Sequence, residues 1–231
     1  MVSERLSAKA IRIAAIASLV TAVTTFLLWY LAPTIPLETL EDRVALHTNT
    51  RYLARLWINF AHVFMALFAY AITAALLWSR RPVLSALSTV AFAFWALVEA
   101  IGVAVLIFTV NGAWRASYMD ADPDARIRLA TQINTFEGIW DGMFFVILVT
   151  FLIGTGALGA AMWSNDWIDR LMASLLLLAG PLTVIIIADG YFGASWSVWI
   201  AWMYPTLQPI SRAVLAGWLW RKTLLDSPQS R

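Results

Sequence analysis

Few side chains in these 231 residues could do acid–base or ligand chemistry from within an apolar run, and they fall into two groups. In the first, Asn59 and His62 lie three residues apart, Glu137 and Asp141 lie four apart, and Asp189 closes a further apolar run. Residues at those spacings share one side of a helix, so each pair would be presented together. One imidazole with two or three carboxylates would suit a divalent metal, or a histidine acting as general base with a carboxylate to orient it. A plainer use exists for each. Asn134 followed three residues later by Glu137 has the form of a capping box, and a lone histidine can serve as hydrogen-bonded packing.

The second group is Glu99, Gln208 and Arg212. An ionisable group inside lipid costs about 2.5–3.5 kcal/mol on insertion scales, so each should face other helices and find a partner. Helical side chains lean toward their own N-terminus, and the runs carrying Glu99 and Arg212 would point in opposite directions, so the two should lean toward each other. A buried Glu99–Arg212 pair, extended by Gln208 one turn away, is the expectation. It would fix helix register or form a ligand or proton site.

Several chemistries lack their residues. The chain has no cysteine, which removes disulfides, iron–sulfur clusters, thiolate zinc sites and cysteine nucleophiles. His47 and His62 are the two histidines, one in a loop and one in an apolar run, so a bis-histidine haem lacks its ligands. No H-E-x-x-H, G-x-S-x-G or Walker-type loop is present. No cofactor or resident metal is expected. The net charge of +2 is scattered rather than blocked, so nucleic acid is not an expected partner.

The elements that must position these residues follow from composition. Hydrophobic residues make up 61%, charged residues 13%, and the mean hydropathy is +0.74, too apolar for a soluble domain. Six runs are long enough to span about 30 Å of hydrocarbon: residues 11–31, 56–78, 83–110, 138–163, 171–188 and 191–220. Backbone groups must be satisfied inside lipid, so these runs are helices. The predicted fold is all-α, a single domain over residues 1–231 built as a bundle of six transmembrane helices. The first run is longer than the apolar core of a removable signal, so it should persist as a span.

Arg5, Lys9 and Arg12 precede the first run, Arg80 and Arg81 join the second to the third, and Arg221 and Lys222 follow the last. By the positive-inside rule both termini are cytoplasmic. Among thirteen tryptophans, Trp29, Trp57, Trp114, Trp140 and Trp196 fall near outer ends and Trp78, Trp163, Trp167, Trp218 and Trp220 near inner ends, forming an aromatic belt against membrane lipids. Trp95 sits mid-run and needs either helix packing or a cavity wall.

Two outer loops should carry short helices. After Pro36, Leu37, Leu40 and Val44 have helical spacing and would suit an interfacial helix; Asp122 and Pro123 would cap and start a second. Pro181, Pro205 and Pro209 predict kinks. Ala96, Ala100 and Ala104, and Gly156 with Ala160, form small-residue stripes for close packing within the chain or in a homodimer.

Short segments carry a resemblance: I-R-I-A-A-I-A-S-L-V at residues 11–20, R-Y-L-A-R-L at 51–56, W-S-R-R-P at 78–82, and W-S-N-D-W-I-D-R-L at 163–171 ahead of L-L-L-L-A-G at 175–180. In these the chain resembles an uncharacterised family of small bacterial polytopic membrane proteins of the domain-of-unknown-function type. It departs from the pattern at Ile168-Asp169-Arg170, where that family has Pro-Arg. The resemblance implies a compact helical bundle in a bacterial inner membrane and transfers no catalytic residue. The residues themselves leave three readings open. One is an outward-facing pocket for a small or lipidic molecule at His62, Asn59, Asp141, Glu137 and Asp189, the second an intramembrane enzyme on the same groups, and the third an assembly subunit of a larger complex.

Overall fold

The computed structural model describes residues 6–34, 37–194 and 198–225; Arg5, Pro36 and Trp196, named above, lie outside them. The described residues form an all-helical chain. Helix α1 spans Ala8–Tyr30, the short α2 spans Leu40–Ala45 and runs into a 3-10 turn, and α3 spans Thr50–Leu77. Helix α4 covers Pro82–Val105 and continues as a π-helical segment, Leu106–Arg115, into the single turn α5, Ala116–Tyr118. Helices α6, Pro123–Met162, α7, Trp167–Phe192, and α8, Val198–Leu225, complete the order.

Five of these elements are long and apolar enough to cross a membrane: α1, α3, the continuous stretch Pro82–Tyr118, α6 and α7. Their starts are set by side chains that accept orphan amide protons, namely Ser7 for α1, Asn49 for α3, Asp122 for α6 and Asp166 for α7. Pro123 at the first position of α6 matches the sequence expectation. The separate loop helix expected there does not exist. Residues 123–162 form one helix of 40 residues, about 60 Å long and twice the hydrocarbon thickness. The polar stretch around Asn134 and Glu137 contains no Gly or Pro before Gly138, so nothing breaks the helix and no capping box forms.

The boundary between the last two runs also moves. Tyr191 belongs to α7, which ends where Gly193 takes φ +68, a left-handed conformation that glycine adopts without a side-chain clash.

Each long helix packs on its neighbours in sequence, and α8 returns to pack along α1. Glycines set the closest approaches. A side chain at Gly102 would strike Trp140 and Met143 of α6, one at Gly154 would meet the Phe92 ring at 3.0 Å, and one at Gly159 would meet Leu177 of α7 at 2.9 Å. Of the stripes expected from sequence, Ala96 and Ala100 are buried, whereas Gly156 faces open space. Trp95 is a packing residue: it is 4% exposed and meets Phe92 and Phe151 edge-on, while Phe92 stacks on Tyr70 at 4.1 Å.

One end of the molecule carries the α3–α4 and α6–α7 connections together with the close of α8. There Asp169, 2% exposed, accepts from Trp218 Nε1 at 2.7 Å, Ser164 Oγ at 2.8 Å and Arg80 Nη1 at 3.3 Å, with Lys222 Nζ at 3.5 Å. Trp218 is therefore not a membrane anchor but an interior donor. Trp78, Trp163, Trp167 and Trp220 at this end are exposed, as an aromatic belt requires.

Candidate functional site

At the opposite end, α2, α3, the π segment and α6 surround a cavity of about 530 Å³. Helix α3 supplies Tyr52, Arg55, Leu56 and Asn59, at the three- and four-residue spacing that brings them to one side. Helix α6 supplies Phe136, Glu137, Trp140, Phe144 and Ile147 in the same manner. Trp140 is thus a cavity wall. Helix α4 places Glu99 deep in the cavity, and the π segment carries Arg115 to its rim.

The rim is held by local chemistry. Thr39 and Asp42 form a reciprocal capping box that starts α2, and the hydrogen bond from Thr39 holds the Asp42 carboxyl below its usual range. Helix α2 turns its apolar side toward the bundle. Val44 is 1% exposed, tucked inward, and Arg43 pairs with Glu137 across the rim. Arg115, 4% exposed, donates from Nη1 to Tyr52 Oη at 3.2 Å and sits 5.7 Å from the centre of the Tyr52 ring. Its Nε has no hydrogen-bond partner, and Asn111 Oδ1 in the same π segment also has none. Arg55 forms no ion pair or hydrogen bond among the described residues. At the deep end Asn59 Nδ2 donates to Glu99 Oε1 at 3.1 Å. Three guanidinium groups, of Arg43, Arg55 and Arg115, therefore share the cavity with two carboxylates, of Glu99 and Glu137.

His62 is one turn deeper than Asn59 on α3, is 3% exposed, and does not line the cavity. Its Nε2 accepts from Arg212 Nη1 of α8, and its Nδ1 meets Thr24 Oγ1 of α1 at 2.6 Å. A guanidinium can only donate, so Nε2 must be the acceptor and Nδ1 must carry the proton. That proton goes to the Thr24 hydroxyl, which itself donates to the Val20 carbonyl at 3.0 Å. Ser18 Oγ closes the chain on the Arg212 carbonyl at 2.7 Å.

Both ring nitrogens of His62 are therefore engaged inside the protein. Among the described residues no group of three His, Cys, Asp or Glu side chains could hold a metal ion. No direct ion-pair contact joins Glu99 and Arg212 among the described residues, although the guanidinium lies near enough to act on the carboxyl through space. His62 stands between their helices as the nearer acceptor for Arg212, and Glu99 turns to Asn59. Gln208, 7% exposed, bonds neither through its side chain; its backbone carbonyl accepts from Ser211.

The outer cluster read from sequence is only half assembled. Asn59 and Glu137 line the cavity, whereas Asp141 and Asp189 are exposed and do not. Asp141 follows Trp140 directly and so falls off the cavity-facing stripe of α6. Its backbone carbonyl accepts from Tyr191 Oη at 2.7 Å. The residues missed were Arg43, Arg55 and Arg115, cations that lie outside the apolar runs and that no spacing in the sequence singles out. Asp169 was visible as the departure from the family pattern, without its role.

With this geometry in place, the comparisons add no relative: no family model, curated protein or solved structure matches the chain.

Proposed function

We propose that this chain is a multi-pass protein of a bacterial inner membrane, of the small polytopic type its motifs resemble. In this reading α8 crosses with the five apolar elements, both termini are cytoplasmic, and the cavity opens outward to receive a small or lipidic molecule. The protein binds or carries that molecule rather than transforming it.

The observation that carries this reading is the cavity of about 530 Å³, whose walls are mostly apolar and whose few polar groups converge from α2, α3, α6 and the continuous stretch of α4 and the π segment. Volumes of about 300–1,000 Å³ with that lining are typical of small-molecule sites. An intramembrane enzyme has less support, since His62, the one histidine in an apolar run, spends both nitrogens on Thr24 and Arg212.

Native mass spectrometry of the protein released from lipid nanodiscs tests the reading. The wild-type chain is expected to carry a bound amphiphile, and Leu106→Trp, which fills the cavity from the π segment, is expected to lose at least nine-tenths of that adduct. A wild-type protein that carries no adduct and takes up no added lipid would refute the binding role.

A further inference from the structure

We infer that the cavity takes an anionic amphiphile, its oxyanion head received by Arg115 and Arg55 and its apolar body lying between Leu56, Val103 and Trp140. This rests on the binding role proposed above and adds the class of ligand.

Three features of the cavity carry it. Arg115 is 4% exposed, yet its Nε donor points to no protein acceptor, and a buried donor left without an acceptor is costly. A carboxylate or phosphate oxygen supplies the acceptor that a guanidinium fork fits best. Next, Arg43 and Glu137 neutralise each other at the rim, and among the described residues Arg55 has no carboxylate partner. Three guanidiniums against two carboxylates leave one positive charge, which a monoanionic head balances. Finally, Glu99 does not repel that head. It lies sixteen residues before Arg115 along one continuous helical stretch, which separates the two by on the order of 20 Å. The head sits at the rim and the tail points down the apolar walls.

The test uses the full chain in nanodiscs of neutral phosphatidylcholine, titrated with dodecyl phosphate, with dodecanol and with inorganic phosphate, against empty nanodiscs. Dodecyl phosphate is expected to bind at least tenfold more tightly than dodecanol. Arg115→Met and Arg55→Met are each expected to weaken dodecyl phosphate about tenfold and leave dodecanol unchanged; Arg170→Met, at the far end, should alter neither. Arg55 is half-buried, so its variant decides the matter where Arg115→Met fails to fold. Equal binding of dodecanol and dodecyl phosphate, or unchanged affinity in a folded Arg55→Met, overturns the anionic head and leaves the pocket standing. Inorganic phosphate binding as tightly as dodecyl phosphate overturns the amphiphile in favour of a free oxyanion. If neither dodecyl compound binds above empty nanodiscs, the binding role itself falls.

Discussion

Asp169 keeps two cations and two neutral donors around one carboxylate at the end of three helices. Asp169→Asn preserves shape but leaves Arg80 and Lys222 facing each other without a counter-charge. Breaking a buried pair in this way costs about 3 kcal/mol, so the unfolding midpoint in detergent should fall clearly. Asp166→Asn, at a half-buried carboxylate with a single cation partner, should move it far less. The hydrogen bond from Arg221 holds the Asp166 carboxyl below its usual range. Its contribution is therefore present at neutral pH and is lost only as pH falls through that depressed value. The residue scale is also where sequence reading was weakest. Glu99, His62 and Arg212 were recognised as buried groups needing partners, because polarity inside an apolar run is visible. Which partner each takes depends on helix rotation, and His62 of α3 is shared between Thr24 of α1 and Arg212 of α8 in a way no spacing within one run reports.

Among the elements, the apolar cores of the five qualifying spans were legible because hydropathy measures what lipid selects. Their ends were not. The first fifteen residues of α6 were expected as a separate loop helix, yet they run unbroken into the span, because no Gly or Pro interrupts them after the Asp122 cap and Pro123. The π segment had no signature, since i→i+5 bonding imposes no residue pattern, and the orphan Arg115 Nε on the cavity wall fits the frequent placement of such segments at functional sites. Contact between α4 and α6 depends on Gly102, where a methyl group would lie 2.8 Å from Met143 Cε and press on Trp140. Gly102→Ala should cost about 1–3 kcal/mol and, by displacing Trp140, weaken whatever the cavity binds. Thermal unfolding and ligand titration on the same preparation check both effects.

For the whole molecule, the sidedness proposed from the cations has a direct test, because the chain has no cysteine to remove. Ser79 in the α3–α4 connection and Ser117 in α5 are both exposed. With a membrane-impermeant maleimide, Ser117→Cys should label in intact spheroplasts and Ser79→Cys only after permeabilisation. Reversed labelling would invert the orientation, and labelling of both from one side would break the alternation of crossings.

The packing of α8 along α1 also sets an order of events. Domains emerge from the ribosome N-terminal end first, so α1 and α3 enter the membrane while Arg212 is not yet made. Until then the imidazole they share has only Thr24 to bond, and its other nitrogen waits in a low-dielectric environment. The guanidinium that satisfies it arrives on the final helix, so a nascent chain stalled before α8 should be a substrate for membrane quality control, and assembly can be complete only once translation is.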